Sequence, residues 1–205
     1  MNKIILIVGV FTGILMLIFN GYISYEYVEG FSNSIKEKND KLSDIAQFNT
    51  YLSQLKDAET GQRGYVITGN KSYLEPYEQG VKYVNSLNSQ AFLEKYENQL
   101  ELTEEIQELK KLAHMKIEKL NSVINTYNNL GFETSQKEIL NNDGKNVMDR
   151  IRLVIDRISG VKQNDIKKDD EKSIQHLKKI VSMIFVINLV YLILISICLT
   201  FFTEI

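Results

Sequence analysis

The stretch Asp57–Gly80, DAETGQRGYVITGNKSYLEPYEQG, decides how this chain folds. It begins inside an amphipathic helical pattern, and it holds the only proline of the chain and three glycines, Gly61, Gly64 and Gly69, ahead of Gly80. Just upstream, Ile45, Phe48, Leu52 and Leu55 recur at steps of three and four, the mark of one buried helical stripe. The same rhythm next reaches Glu59, Gln62 and Val66, so polar groups enter a seam that elsewhere carries leucine and phenylalanine. Gly69 and Asn70 supply a left-handed helix stop. Ser72 followed by Glu75 has the spacing of a capping box, and Pro76 is compatible only with the start of a helix. These signals predict a helix from Tyr22 that ends at Thr68, a turn over 69–72, and a second helix through Tyr77, Val81, Val84 and Leu87 that weakens around 88–90.

Further along, Leu102, Ile106, Leu109, Ala113, Ile117, Leu120, Ile124 and Tyr127 keep a heptad-like spacing, and Asn129 to Gly131 end it. Ser135 with Glu138 is a second capping-box pattern that opens a short helix, interrupted by Asn141, Asn142, Asp143 and Gly144. From Val147 the stripe resumes through Ile151, Val154, Ile158 and Val161. No strand pattern competes. The expected fold is all-α, an antiparallel four-helix bundle flanked by two transmembrane helices.

The membrane helices follow from the distribution of charge. No charged residue occurs from Ile4 to Tyr25 or from Ile180 to Thr203, and about 20 apolar residues suffice to cross a hydrocarbon core. The expected divisions are an anchor at 1–25, a bundle at 26–179, a second span at 180–203 and a cytoplasmic tail at 204–205. Tyr22, Tyr25 and Tyr27 suit an interfacial belt. The first span lacks a small-residue cleavage site, which favours an uncleaved anchor over a signal peptide. Lys36, Lys38, Lys172, Lys178 and Lys179 between the spans, against Lys3 outside them, would by literal count put the bundle in the cytoplasm. That count carries little weight across loops longer than about 60 residues, and an amino terminus inside the cell places the bundle outside the cytoplasm.

Composition and motifs narrow the functions. The net charge of −2 is spread over helices of mixed sign, leaving no basic patch for nucleic acid. The single cysteine, Cys198, allows no intramolecular disulfide. His114 and His176 fall on different helices without metal-ligand spacing. There is no phosphate-cradling loop and no nucleophile elbow. The expectation is a chain with no catalytic residues, no metal and no cofactor. Asn20 and Asn188 could hydrogen-bond between membrane helices and favour dimerisation.

The opening stretch remains the candidate site. Arg63 stands one turn after Glu59, the favourable order for a helical ion pair, and Arg150, Arg152 and Arg157 are alternative partners for the carboxylate. Gly61 and Gly64 each cost about 1 kcal/mol against alanine in a helix interior, so close approach by another backbone or by a ligand is expected there. Two roles stand open, a polar layer that fixes helix register and a ligand or switch layer.

AETGQRGYVITGNKSYLEPY, from Ala58 to Tyr77, resembles the signature of the CHASE type 3 domain, an extracellular sensory module of bacterial histidine kinases, diguanylate cyclases and chemoreceptor-like proteins. GKNVMDRIRLVI, from Gly144 to Ile155, is similar to that family's second block. The resemblance covers roughly 28–173. It implies a site or buried polar layer built from Glu59, Thr60, Gly61, Gln62, Arg63, Gly64, Tyr65, Tyr73, Leu74, Pro76 and Tyr77. It further implies a helical input domain between two membrane helices, often a homodimer, with an undefined extracytoplasmic ligand or protein partner; the two apolar spans add the inner or plasma membrane and contact with membrane lipid, and the charge distribution adds no nucleic acid. Only Glu204 and Ile205 follow the second span. A cytoplasmic effector, a kinase or cyclase, is therefore expected either in cis within a longer receptor or in trans. The competing readings are a small scaffold or accessory protein that tethers a partner, and a chemoreceptor-type ligand domain.

Overall fold

The structure, a computed structural model, describes residues 2–89, 91–97, 99 and 101–203. Gln90, the expected 204–205 tail and the side chain of Cys198 lie outside the described residues. Every regular element among them is helical: α1 (Asn2–Thr68), a 3-10 turn (Lys71–Tyr73), α2 (Leu74–Ser89), α3 (Ala91–Glu97), α4 (Thr103–Leu130), α5 (Phe132–Leu140) and α6 (Asp143–Thr203). The chain divides into two compact units. One holds the residues up to Asp40 and those from Asp165 onward; the other is Lys41–Asn164.

Within the Lys41–Asn164 unit, side-chain contacts define the register. Asp44 meets Lys95, the Tyr51 hydroxyl donates to Asn88 Oδ1, and Gly61 lies against Tyr77, which sets α1 antiparallel to α2 and α3. Lys162 reaches Gln99, Arg150 and Arg157 share Glu108, and Lys116 donates to the Gly144 carbonyl, which sets α6 antiparallel to α4. Four helical stretches thus run as the periodicity predicts, with the second divided into α2 and α3 and with α5 added before α6. Phe48, Tyr51, Leu55, Leu93, Ile106, Leu109, Ile151 and Ile158 fill one core cluster, and Ala58, Tyr65, Tyr77, Leu120 and Ile124 form another. Fully burying one such large apolar side chain contributes about 1.5–3 kcal/mol.

Several local expectations are corrected. The α1 seam passes through Phe48, Tyr51 and Leu55, while Leu52 is only half-buried, because Tyr51 turns inward to reach Asn88. Ser72 does not open the second helix. Asn70 caps the 3-10 turn by accepting from the Ser72 backbone N–H at 3.0 Å, and Pro76 falls in the first turn of α2 as its fixed backbone requires. Nor does Ser135 cap α5, which begins three residues earlier. The buried Ser135 hydroxyl donates to the Phe132 carbonyl, and Glu138 instead accepts from Ser122 and Thr126 of α4. Only Asn141 and Asn142 interrupt the chain before α6, Asn142 with φ of 61°, and Gly144 is already helical. The stop at Gly69 stands as expected, with φ of 69° and its N–H donated to the Tyr65 carbonyl.

A buried charge cluster that the pattern did not signal lies near the start of this unit. Asp44 pairs with Lys95 at 3.0 Å and with the buried Lys162 at 4.0 Å, while Lys162 stands 4.4 Å over the Tyr96 ring. Burial, with the Asp44 carboxylate close by, pushes the Tyr96 hydroxyl far above the ordinary tyrosine value.

In the other unit, α1 and α6 carry stretches long and apolar enough to cross a membrane, and these stretches are not buried by the protein itself. Asn20 Nδ2 donates to Asn188 Oδ1 at 3.3 Å and the Tyr191 hydroxyl donates to the Gly9 carbonyl at 3.3 Å. The two asparagines therefore bond each other within one chain.

Candidate functional site

The signature glycines let α1 and α2 approach closely. A Cβ on Gly61 would run into the backbone of Tyr73 and Tyr77, and one on Gly80 into the backbone carbonyl of Gln54. The glycine at 64 leaves room for the ring of Tyr73. Another backbone fills the space at Gly61 and Gly80, and an aromatic ring fills it at Gly64. The signature tyrosines tie α1 and α2 to α4: Tyr65 Oη donates to Asn128 Oδ1 and Tyr77 Oη to Asn121 Oδ1, each at 2.7 Å. Leu74 is half-buried beside the second core cluster, whereas Thr60, Tyr73 and Pro76 are exposed. Tyr65→Phe and Tyr77→Phe each remove one hydrogen bond and keep the ring, so each is expected to lower unfolding free energy by about 1 kcal/mol in denaturant titrations. No loss in either variant would mean that water replaces the bond at no cost.

The polar members behave differently. Glu59 pairs with Arg63 at 2.9 Å, as the spacing predicts, and also with Lys116 of α4, again at 2.9 Å. The side chain of Lys116 is 1% exposed, and its Nζ donates in addition to the Gly144 carbonyl at 2.9 Å. Burial pulls its pKa below the ordinary lysine value; Glu59 opposes this, and Arg63 and Arg152 add to it. The candidate arginines of the last helix do not reach Glu59. Arg150 and Arg157 bind Glu108, whose carboxyl is held below its usual range first by the Arg150 hydrogen bond, and Arg152 pairs with Asp149 at 2.6 Å. Arg150 and Arg157 stand on a face where α4 offers Glu108, and it is Lys116 that α4 brings to Glu59.

Glu59, Gln62 and Arg63 line a cavity of about 160 Å³. Its other polar walls are Lys116 and Lys119 of α4, Glu138 of α5, Asn141 just after it, and Asp143, Gly144 and Lys145 at the start of α6. Leu120, Val123 and Ile139 give it an apolar side. Gln62 is 2% exposed, and its Nε2 has no hydrogen-bond partner among the described residues. Lys116, Lys119 and Lys145 escaped notice in the sequence because each lies on an ordinary charged helix. The one available signal was a lysine at position 116, between the seam residues Ala113 and Ile117. No group of three or more His, Cys, Asp or Glu side chains able to hold a metal occurs among the described residues.

The family model of the CHASE3 domain matches residues 37–171. No curated protein and no solved structure matches the chain. The match covers well over half of the chain and takes in the Ala58–Tyr77 signature, all four walls of the cavity and the Gly144–Ile155 block. The chain belongs to the CHASE3 family of sensory input domains found in signalling receptors.

Proposed function

We propose that this chain is the extracytoplasmic input portion of a membrane receptor, working with a two-component histidine kinase, and that it passes a stimulus across the membrane through α1 and α6. The observation that carries this reading is the position of the CHASE3 match, 37–171, between the apolar stretches of α1 and α6. Both helices continue without a break from their apolar stretch into matched residues. In this reading a displacement of one helix against the other, about an ångström or two, is the signal. The in-chain bond between Asn20 and Asn188 is then one of the contacts that such a displacement shifts.

Topology and transmission are tested separately. With Cys198 replaced by alanine, a cysteine at the exposed Lys137 is expected to react in intact cells with a membrane-impermeant maleimide. Protection until the cells are lysed would place the domain in the cytoplasm and end the topological part. Cysteine pairs along the two apolar stretches are expected to crosslink in different patterns in stimulated and resting cells. An identical pattern in both states would remove the transmission part.

A further inference from the structure

The cavity beside Glu59 holds more cationic than anionic side chains. Arg63, Lys116, Lys119 and Lys145 face Glu59, Glu138 and Asp143, an excess of one positive charge. These cations are not equally occupied. Lys116 is committed to Glu59 and to the Gly144 carbonyl. Lys119 makes a single long contact to Asp143 at 3.3 Å. Arg63 is half-exposed and uses one nitrogen on Glu59, leaving most of its five donors available. Lys145 has no ion-pair partner among the described residues.

Two further features point to an acceptor in this space. The buried Gln62 Nε2 is a donor without an acceptor, and leaving such a group unsatisfied costs about 1–3 kcal/mol. The first turn of α6 also lines the cavity; the Asp143 N–H is already donated to Asn141 Oδ1, and the amides that follow it in the first turn favour a negative charge. The three resident carboxylates would repel a dianion, so one negative charge is what the excess can balance. The apolar wall of Leu120, Val123 and Ile139 favours a ligand with a hydrocarbon part. At about 160 Å³ the cavity is well below the roughly 300–1,000 Å³ of sites for drug-sized ligands.

We propose that this cavity binds a small organic monocarboxylate, with its carboxylate directed to Lys145, Arg63 and Gln62 and its short hydrocarbon part against Leu120, Val123 and Ile139. Binding stands on the cavity alone; that the ligand acts as the stimulus rests on the sensory reading above. The site joins α1 to α6 through one small molecule, so occupancy is linked to the packing of the two helices that carry the apolar stretches.

The test is thermal unfolding of the full chain in lipid nanodiscs, titrated with sodium propionate up to tens of millimolar at constant ionic strength. The melting temperature is expected to rise and saturate with propionate, and to stay flat with chloride, phosphate or methylammonium. Lys145→Glu, at an exposed position, turns the excess of positive charge into a negative one and is expected to weaken propionate binding on the order of tenfold or more. Val123→Phe, which fills the apolar wall, is expected to weaken it while leaving the chain folded by circular dichroism. No saturable shift with propionate, an equal shift with chloride or phosphate, or undiminished binding by Lys145→Glu overturns the proposal. Failure here, alongside crosslinks that still change between resting and stimulated cells, would sink the carboxylate site and leave the sensory reading intact. Propionate binding with crosslinks that never change would do the reverse.

Discussion

Glu59→Ala is expected to lower the unfolding free energy by about 2–4 kcal/mol. Lys116 is the reason. Its ammonium is buried and would keep only the Gly144 carbonyl, so the variant leaves a buried charge without its counter-ion. The loss falls toward the low end for a broken buried pair because Glu59 is itself 16% exposed and water can reach the vacated space. Replacing both partners, as Glu59→Leu with Lys116→Met, is expected to bring stability back to within about 1 kcal/mol of the original. Chemical denaturation of the single and double variants measures the coupling directly. A Glu59→Ala loss below about 0.5 kcal/mol would show that the pair is no more than a surface ion pair.

The same lysine predicts a pH dependence. Its folded pKa is lowered, with burial the largest cause. Between that lowered value and the ordinary one of about 10.4, the unfolded chain holds a proton that the folded chain lacks. Stability at this position therefore rises with pH through that window, and below it the full cost of the buried charge is present. The stability difference between wild type and Lys116→Met is accordingly expected to move in favour of wild type on the alkaline side. A difference that stays constant up to about pH 10 would mean that Lys116 titrates as an exposed lysine does.

Much of the helical frame was legible because single residues announce it. Gly69 takes the left-handed turn that ends α1, and Gly131 does the same after α4 with φ of 82°. The α4 seam residues from Leu102 to Ile124 are all buried, since a regular spacing over many turns has only one way to face a core. α3 was not legible. It is only seven residues long, and Phe92, Leu93 and Tyr96 pack too closely in sequence to show a period. The capping boxes misled because Asn70 lies upstream of Ser72 and competes for the same backbone N–H groups, and because Gly131 lets α5 start before Ser135. The pair of Glu59 with Arg63 could be read from spacing along one helix. Lys116 could not, since its partner comes from a different helix and only the folded register brings the two together.

Gly80→Ala and Gly61→Ala are expected to destabilise the domain by about 1–3 kcal/mol each, although alanine is the better helix former by about 1 kcal/mol. The sign is decided by what the new methyl meets. At Gly80 it meets the Gln54 carbonyl and Ala58, and at Gly61 the Tyr73 carbonyl and the Tyr77 nitrogen. Backbone cannot rotate aside, so relief requires α1 and α2 to separate and to loosen the contacts of Tyr77 and Val84 with the core. Gly64→Ala meets only the ring of Tyr73, an exposed side chain that can turn away, and is expected to cost less. Gly160, inside α6 with nothing near its added Cβ, supplies the opposite case: Gly160→Ala is expected to raise stability by about 0.5–1 kcal/mol. Midpoints of denaturant unfolding for the four variants should thus fall in the order Gly160, Gly64, then Gly61 and Gly80 together. This order also separates the two roles of the signature. Loss of stability without selective loss of propionate binding assigns Gly61 and Gly80 to the α1–α2 junction, leaving Glu59, Gln62 and Arg63 as the part of the signature that faces a ligand. Wild-type stability in Gly61→Ala together with lost propionate binding would instead move that glycine into the cavity wall.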